Sequence, residues 1–423
     1  MTPRDILTGS FRAALDAADP LAIVPPHLPA PPRGRTVVVG AGKAAASMAL
    51  AVENHWPAQG SLEGIVITRY GHGLPLKRIR VVEAGHPVPD EHGEAAAREI
   101  LALAASLGPG DLLLVLVSGG GSSLLSLPVA GVPMDELKKV TRDLLASGAP
   151  IQDMNTVRKH LSLIQGGRLA AATRARVLAL VISDVTGDDP THIASGPTVP
   201  DPTTYRDAIE ILERFAVAAP PAVATHLARG AAGTLPETLK PGDPAFASVD
   251  NRVIATAHAS LMSAAAYVRE QGVAPMVLGD TVTGESAEVA KVYAALAREV
   301  RDHGQPVKAP VALISGGETT VTLKKSGRGG RCSEFLLSLA ISLEGLGDTW
   351  ALACDTDGID GSENNAGAIL TPDALRRAQG LGLAAKKMLA ENDSYGFFAA
   401  LGDLVVTGPT RTNVNDYRII MVR

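Results

Sequence analysis

The sequence predicts a protein of two α/β domains, the first of which has a mostly parallel sheet. Three observations support this fold class. The chain has 423 residues, which is too long for one ordinary core. Apolar runs that end in glycine or acidic turns recur, each followed by an Ala- and Leu-rich helical pattern. Aromatic residues make up only 3% of the chain, so Ala, Val, Leu and Ile must build cores of strands buried between helices.

The first half of the chain repeats a strand, a turn and a helix. Each apolar run is short enough for a strand, and the glycine-rich or acidic residues after it are typical of βα turns. The predicted strands are 36–39, 64–68, 111–117 and 177–182, with a helix at 44–52 after the first turn.

The second half repeats the same pattern after a stretch rich in Ala, Pro and Gly. That stretch, 216–244, is predicted to connect two domains and to contain at most a short helix. We therefore expect an N-terminal domain at 1–235 and a C-terminal domain at 245–423. Predicted strands at 275–278, 311–314 and 350–353 follow, with helices at about 286–301 and 335–342.

Composition excludes several classes of function. The net charge of -5 and the absence of a long basic run argue against nucleic acid and anionic membranes as partners. Two cysteines exclude a disulfide framework, and the ten histidines show no zinc-binding spacing. No apolar run approaches the ~20 residues of a membrane helix, and no secretory signal begins the chain. We expect a cytoplasmic enzyme, and a homodimer is one assembly that the sequence allows.

Two glycine turns follow predicted strands and could bind phosphate. Gly40-x-Gly42-x-x-Ala45 fits a dinucleotide fingerprint, although a tight strand-to-helix turn explains it equally well. Lys43 places a cation at the first helical turn, where the helix dipole favours anions. The second turn forms an anion nest with hydroxyl groups beside it, or else a flexible loop. Its residues are Ser118, Gly119, Gly120, Gly121, Ser122 and Ser123.

Acidic turns follow two other strands. Asp184, Asp188 and Asp189 lie within six residues of each other, and Asp355 opens a similar turn after 350–353. Mg²⁺ binds one or two carboxylates together with phosphate oxygens and water, but acidic residues in turns also cap helices. We predict Asp184, Asp189 and Asp355 as metal ligands.

Several cations precede or begin helices. Arg331 lies at a predicted helix N-terminus, where an anion is expected. Arg158 and Lys159 are adjacent in a helix, so they cannot share one face, and a solvated surface is the common explanation of such a pair. Cys332 has no histidine neighbour in sequence, which favours a packing role over a nucleophile.

Seven motifs occur along nearly the whole chain. They are Gly40-Ala-Gly-Lys43, Ser118-Gly-Gly-Gly-Ser-Ser123, Asn155-x-x-Arg158-Lys159-His160, Ser183-Asp-Val-x-Gly-Asp188 with Ser195-Gly-Pro-Thr198, Gly329-Gly-Arg331, Asp355-Thr-Asp-Gly358 and Thr407-Gly-Pro-Thr410. In these motifs and their order the chain resembles the glycerate 2-kinases with a MOFRL C-terminal domain. Some members of that family are labelled hydroxypyruvate reductases of tartrate utilisation. The sequence departs from the family pattern in the C-terminal half, for example at Cys332-Ser333.

The resemblance implies a Rossmann-like three-layer N-terminal domain, a smaller α/β C-terminal domain and an active site in the cleft between them. It implies transfer of the ATP γ-phosphoryl group to the 2-hydroxyl of D-glycerate, assisted by Mg²⁺. It also implies that Lys43 and Arg331 are the catalytic cations. We predict Ser118–Ser123 with Gly316 and Gly317 as nucleotide-binding residues, and Gly42, Asn155 and Arg158 as substrate-binding residues.

Two other functions remain open from the sequence. An NADPH-dependent hydroxypyruvate reductase would use the Gly40 turn, Arg69 for the 2′-phosphate, and His160 or His192 as proton donor. A non-enzymatic nucleotide sensor would need the glycine nests but no pair of catalytic cations. The kinase explains the cations, the nests and the acidic turns together, so we rank it first.

Overall fold

The computed structural model describes residues 1–423, which divide into two compact units. One unit is Pro20–Ile254, and the other combines Met1–Asp19 with Ala255–Arg423. The strands are β1 (Thr36–Ala41), β2 (Glu63–Arg69), β3 (Ile79–Ala84), β4 (Leu112–Val117), β5 (Arg176–Ile182), β6 (Val249–Ala255), β7 (Ala274–Val282), β8 (Val311–Gly317), β9 (Thr349–Asp355), β10 (Gly367–Leu370), β11 (Leu404–Val405) and β12 (Asp416–Val422). The helices are α1 (Pro3–Asp16), α2 (Pro20–Ile23), α3 (Ala45–His55), α4 (Glu91–Ala105), α5 (Gly121–Leu124), α6 (Met134–Ala146), α7 (Ile151–His160), α8 (Arg168–Ala171), α9 (Tyr205–Arg214), α10 (Pro221–Ala231), α11 (Ala257–Glu270), α12 (Ser286–His303), α13 (Arg331–Leu343), α14 (Ala374–Gly380), α15 (Ala385–Ala390) and α16 (Ser394–Leu401).

The 20–254 unit is built on a six-stranded sheet. Its strand order is β3-β2-β1-β4-β5-β6, and the pairs from β3 to β5 are parallel. All six residues of β1 and of β4 are buried, as expected for strands covered on both faces. This order is also that of dinucleotide-binding domains. In such sheets ligands bind at the carboxyl ends of the strands where the order reverses, which here is between β1 and β4.

Local sequence signals start several helices of this unit. Asp90 caps α4 by accepting a hydrogen bond from the Gly93 amide, and Thr204 with Asp207 forms a capping box on α9. Helices α6, α7, α9 and α10 share a separate apolar cluster that includes Val140, Val157 and Leu227.

The second unit has its own six-stranded sheet with the order β11-β10-β9-β12-β8-β7. Strand β12 runs antiparallel to both β8 and β9, and β7 pairs parallel with β8. One face of the sheet packs on α12 and α13, and the other packs on α1 and α11. Pro3 and a Thr2–Asp5 capping box begin α1, and its buried face includes Leu7 and Phe11.

The two-domain α/β architecture predicted from the sequence is confirmed. The observed units differ from the expected ranges 1–235 and 245–423 in two ways. Helix α1 belongs with the C-terminal residues because its apolar face packs against that unit's sheet. The Ala- and Pro-rich stretch 216–244 is not the connection, because α10 buries Val223 and Leu227 within the first unit. The chain passes between the units at 19–20 and again at 254–255.

None of the sixteen α-helices combines the length and the hydropathy that a membrane-spanning helix requires.

Candidate functional site

The turns after β1 and β4 meet at the carboxyl edge of the first sheet. The Lys43 amide donates a hydrogen bond of 2.8 Å to the Gly119 carbonyl. The Ala44 amide donates one of 3.0 Å to the Ser118 hydroxyl. The structure therefore brings together the lysine turn and the serine-glycine loop, which lie about 75 residues apart in sequence.

Two glycines of these turns are needed because neighbouring groups leave no room for a side chain. Gly42 has φ +143°, and a Cβ there would lie 2.1 Å from Ser118 Oγ. Gly120 has φ +79°, and a Cβ there would lie 2.8 Å from the His86 ring and 3.6 Å from Lys43 Cγ. Both positions combine a backbone conformation that favours glycine with a lack of space for a side chain. Lys43 and His86 thus flank Gly120.

The amide groups of the two turns are not equally available. The Lys43 and Ala44 amides at the start of α3 are already bonded to the serine-glycine loop. A dinucleotide pyrophosphate normally takes the amides at this position. The Gly119 and Gly120 amides, by contrast, donate no hydrogen bond within the chain. The loop rather than the start of α3 presents free donors for an anion.

A buried polar cluster adjoins this loop. Asn155 on α7 is fully buried, and its carbonyl oxygen accepts hydrogen bonds from Ser195 Oγ (3.0 Å) and Arg158 Nη1 (3.1 Å). Its amide nitrogen donates to the His192 carbonyl at 2.8 Å. Ser195 Oγ also lies 2.9 Å from Ser122 Oγ. The Asn155 side chain therefore holds Arg158 and Ser195 in place, and its contact with a substrate stays a prediction.

Arg158 is the unusual member of this cluster. It is half-buried, and its only hydrogen-bond partner is the neutral Asn155. Burial lowers the pKa of Arg158 to about 10 because no carboxylate offsets the loss of water. The guanidinium retains donors for an anionic ligand.

The neighbours of Arg158 on α7 are structural. Lys159 Nζ lies 2.7 Å from Asp201 Oδ1, and both side chains are buried. The solvated surface expected for Arg158 and Lys159 is therefore wrong, because tertiary packing supplies an ion partner for the lysine. His160 is fully buried, with Nδ1 2.8 Å from the Thr156 carbonyl oxygen, and stacks edge-on against Tyr205. That environment does not suit a proton donor to substrate.

The acidic turn after β5 lies beside the serine-glycine loop, because β4 and β5 are paired neighbours. Asp184 is half-buried there. Asp189 is exposed and accepts a hydrogen bond of 2.8 Å from the Thr191 amide, as a turn cap does. No group of three or more His, Cys, Asp or Glu side chains is arranged to hold a metal ion. One carboxylate with phosphate oxygens suffices for Mg²⁺, so Asp184 fits such a role.

Arg331 in the second unit is held by three carboxylates. Its Nε, Nη1 and Nη2 donate to Asp416 (2.7 Å), Glu318 (2.6 Å) and Asp355 (2.8 Å). Burial lowers the pKa of Arg331, but the three carboxylates outweigh burial and hold that pKa above its ordinary value. The anions expected beside this arginine are therefore supplied in part by carboxylates of the protein itself.

The start of α13 also has its own anion. Asp360 is fully buried and accepts hydrogen bonds from the Cys332 amide (2.9 Å) and the Ser333 amide (2.8 Å). The helix dipole is thus compensated by a residue that lies about 30 positions further along the chain. Cys332 is buried, and burial raises the pKa of its thiol, which agrees with the packing role expected.

Gly316 and Gly317 are the last residues of β8 and lie inside the sheet, not in a loop. They pair with Tyr417 and Asp416 of β12. Gly317 has φ +110°, and a Cβ there would lie 2.3 Å from the Val282 carbonyl oxygen. Sheet packing accounts for these glycines, and their contact with a nucleotide stays a prediction.

Comparison with known proteins places these motifs in a family. Residues 6–228 match the family described as "Domain of unknown function (DUF4147)", and residues 311–416 match the MOFRL family. The chain is 38% identical over 415 residues to the D-glycerate 2-kinase of Thermotoga maritima, covering 97% of this chain and 96% of that protein. The chain belongs to the glycerate 2-kinase family with a MOFRL domain.

Other proteins similar to this chain carry different names. A protein of Agrobacterium vitis that carries a provisional name as a hydroxypyruvate reductase is 50% identical over 425 residues, covering 100% of this chain and 95% of that protein. The crystal structure of a glycerate kinase from Thermotoga maritima matches the fold with a TM-score of 0.87 at 36% identity, covering 99% of each chain.

Four residues at these sites were not predicted from the sequence. Ser195 and His86 join the site of the first unit, and Glu318 and Asp416 join Arg331 in the second. Ser195 belongs to a motif quoted for the family, so that motif could have indicated it. His86, Glu318 and Asp416 carry no local signal, because each is defined by a neighbour distant in sequence.

Proposed function

We propose that this protein transfers the γ-phosphoryl group of ATP to the 2-hydroxyl of D-glycerate, producing ADP and 2-phosphoglycerate. The full-length relation to a D-glycerate 2-kinase supports the reaction class. Phosphoryl transfer requires mainly positioning and charge neutralisation, and this chain offers cations and free amides for both.

The proposal that the substrate receiving the phosphoryl group is an anion rests on Arg158. It is a desolvated guanidinium whose only partner is a neutral amide, in a cluster with Ser122 and Ser195. A carboxylate matches the fork of a guanidinium with two parallel hydrogen bonds. We assign Arg158 to the carboxylate of D-glycerate and Asn155 to holding that arginine in place.

The phosphates of the nucleotide are assigned to the loop Ser118–Ser123. The Gly119 and Gly120 amides are unused donors, and Lys43 lies beside Gly120. Gly42 allows the close approach of the two turns, because a Cβ at this position would clash with Ser118 Oγ. Contact of Gly42 with a substrate stays a prediction. Lys43 and Arg331 are proposed to stabilise the charge that develops on the transferring group. That the two cations act on one substrate stays a prediction.

The carboxylates of the acidic turns are suitable ligands for Mg²⁺. Asp184 is the first candidate because it is half-buried beside the serine-glycine loop, whereas Asp189 is exposed and caps its own turn. Asp355 already accepts hydrogen bonds from Arg331 and from the Asp357 amide. An ion held at Asp184 would neutralise the charge of the phosphate groups.

A hydroxypyruvate reductase is the second candidate, because the Agrobacterium vitis relative carries that name. Two observations weigh against it. The amides of Lys43 and Ala44, where a dinucleotide pyrophosphate would bind, are occupied by the serine-glycine loop. His160, one of its two candidate proton donors, is fully buried among protein partners.

One assay separates the two functions. Purified protein is incubated with D-glycerate, ATP and Mg²⁺, and ADP release is measured, while a parallel reaction contains hydroxypyruvate and NADPH. We expect ADP release that depends on D-glycerate and a divalent cation, and phosphorus NMR should identify the 2-phosphate. NADPH oxidation with hydroxypyruvate, together with no ADP release, would reverse the assignment.

A further inference from the structure

The three carboxylates around Arg331 differ in accessibility. The side chains of Asp416 and Asp355 are 0% and 7% exposed, whereas that of Glu318 is 54% exposed. The guanidinium itself is 22% exposed. Glu318 therefore covers the accessible side of the arginine, at Nη1, and the two aspartates hold the buried side.

The two aspartates are fixed by further contacts. Asp416 also accepts a hydrogen bond from Arg418, which is fully buried and donates to the Gly316 carbonyl and to Thr319 Oγ1. Asp355 lies opposite Asp416 in the paired strands β9 and β12 and accepts from the Asp357 amide at 3.0 Å. Neither carboxylate can withdraw without breaking buried polar bonds, which is costly.

Glu318 has no such second attachment. Its only hydrogen bond or ion pair is the one to Arg331. Water solvates the Glu318 end of this ion pair, so the pair contributes little net free energy. The glutamate side chain has three rotatable bonds, so it can leave the arginine without movement of the backbone.

The charge of the cluster explains why this glutamate matters for an anionic substrate. Two arginines, Arg331 and Arg418, face three carboxylates, Asp355, Asp416 and Glu318, so the group as a whole is negative. An anion that approaches Nη1 meets the Glu318 carboxylate in the position it would occupy. Withdrawal of Glu318 leaves two cations balanced by two anions and frees one guanidinium face.

We propose that Glu318 is a displaceable counter-ion of Arg331. It occupies Nη1 in the absence of substrate, and an anionic substrate group, either a phosphate of ATP or the carboxylate of D-glycerate, replaces it. Glu318 thereby lowers the affinity of the enzyme for that anion. This inference rests on the proposed function of Arg331.

The test uses Glu318→Gln in the full-length protein, which removes the charge and keeps the size. KM is measured for ATP and for D-glycerate, each with the other substrate saturating, and calorimetry gives the dissociation constant of inorganic pyrophosphate. We expect the KM of at least one substrate to fall about 1.5-fold to fivefold, a change that matches the loss of one partly exposed ion pair. A lower KM for ATP with tighter pyrophosphate binding indicates a phosphate, and a lower KM for D-glycerate alone indicates the carboxylate. Glu288→Gln, which removes another exposed glutamate from an ion pair with Lys291, serves as the matched control.

Unchanged or higher KM values for both substrates in Glu318→Gln would overturn the proposal. Glu318→Ala, which also removes the hydrogen bond, must lower the same KM, and thermal unfolding of both variants checks that they fold. Arg331→Ala separates this inference from the function on which it rests. If Arg331→Ala loses activity while the Glu318 variants have wild-type KM values, only the counter-ion role is refuted. If Arg331→Ala has wild-type kinetics, the role of Arg331 fails as well.

Discussion

Removal of the Arg331 side chain should destabilise the unit that contains it. In Arg331→Ala the buried Asp355 and Asp416 lie next to each other across two paired strands without the cation between them. Breaking a buried ion pair on one side costs about 3–5 kcal/mol. We expect the lower end, about 3 kcal/mol, because Arg331 is partly exposed and Asp416 keeps its bond to Arg418. The exposed Glu318 adds little.

Thermal unfolding and urea titration of the full-length protein measure this loss. For a unit of this size each 1 kcal/mol changes Tm by roughly 2–4 °C, so Tm should fall by about 6–12 °C. Arg376→Ala is the matched control, because Arg376 is 79% exposed and pairs with the exposed Asp373 within the same unit. That variant should remain within about 1 kcal/mol of wild type. An Arg331→Ala protein with wild-type Tm would refute the idea that the arginine neutralises buried carboxylates.

Two further predictions concern the first unit. Arg158→Ala should raise KM for D-glycerate by at least about tenfold, with little loss of Tm, because the arginine has no ion partner to leave behind. Arg158→Lys should restore KM only in part, since an ammonium lacks the planar fork, and a wild-type KM in both variants would exclude the carboxylate contact. The pH dependence of stability tests the Lys159–Asp201 pair. Burial raises the pKa of Asp201, but the charge and hydrogen bond of Lys159 hold that pKa below its ordinary value in the folded protein. The ionised Asp201 therefore stabilises the folded protein fully above the unfolded pKa of about 3.9. This stabilisation is lost as the pH falls through the lower pKa of the folded protein. In urea titrations between about pH 5 and pH 2, Asp201→Asn should not show the part of the stability loss that protonation of Asp201 causes. An acid profile of unfolding free energy parallel to that of wild type would contradict the assignment.

Local sequence patterns were sufficient for most of the secondary structure. The strand predicted at 177–182 is β5, and the helix predicted at 335–342 is the central part of α13. Apolar runs and glycine turns indicate such elements because their periodicity and backbone requirements act over a few residues. The meeting of the lysine turn and the serine-glycine loop at one edge of the sheet could also be expected, since parallel strands place their following turns together.

The fold class and the strand–turn–helix order follow from local patterns in the sequence. Which charges are compensated depends on the tertiary structure. Arg331 and Arg158 look alike in sequence as cations beside family motifs, yet one meets three carboxylates and the other only an amide. Lys159 likewise finds its partner Asp201 some 40 residues away. The physical reason is that the energy of a charge depends on every group within a few ångströms and on its access to water, and neither quantity is local in the chain.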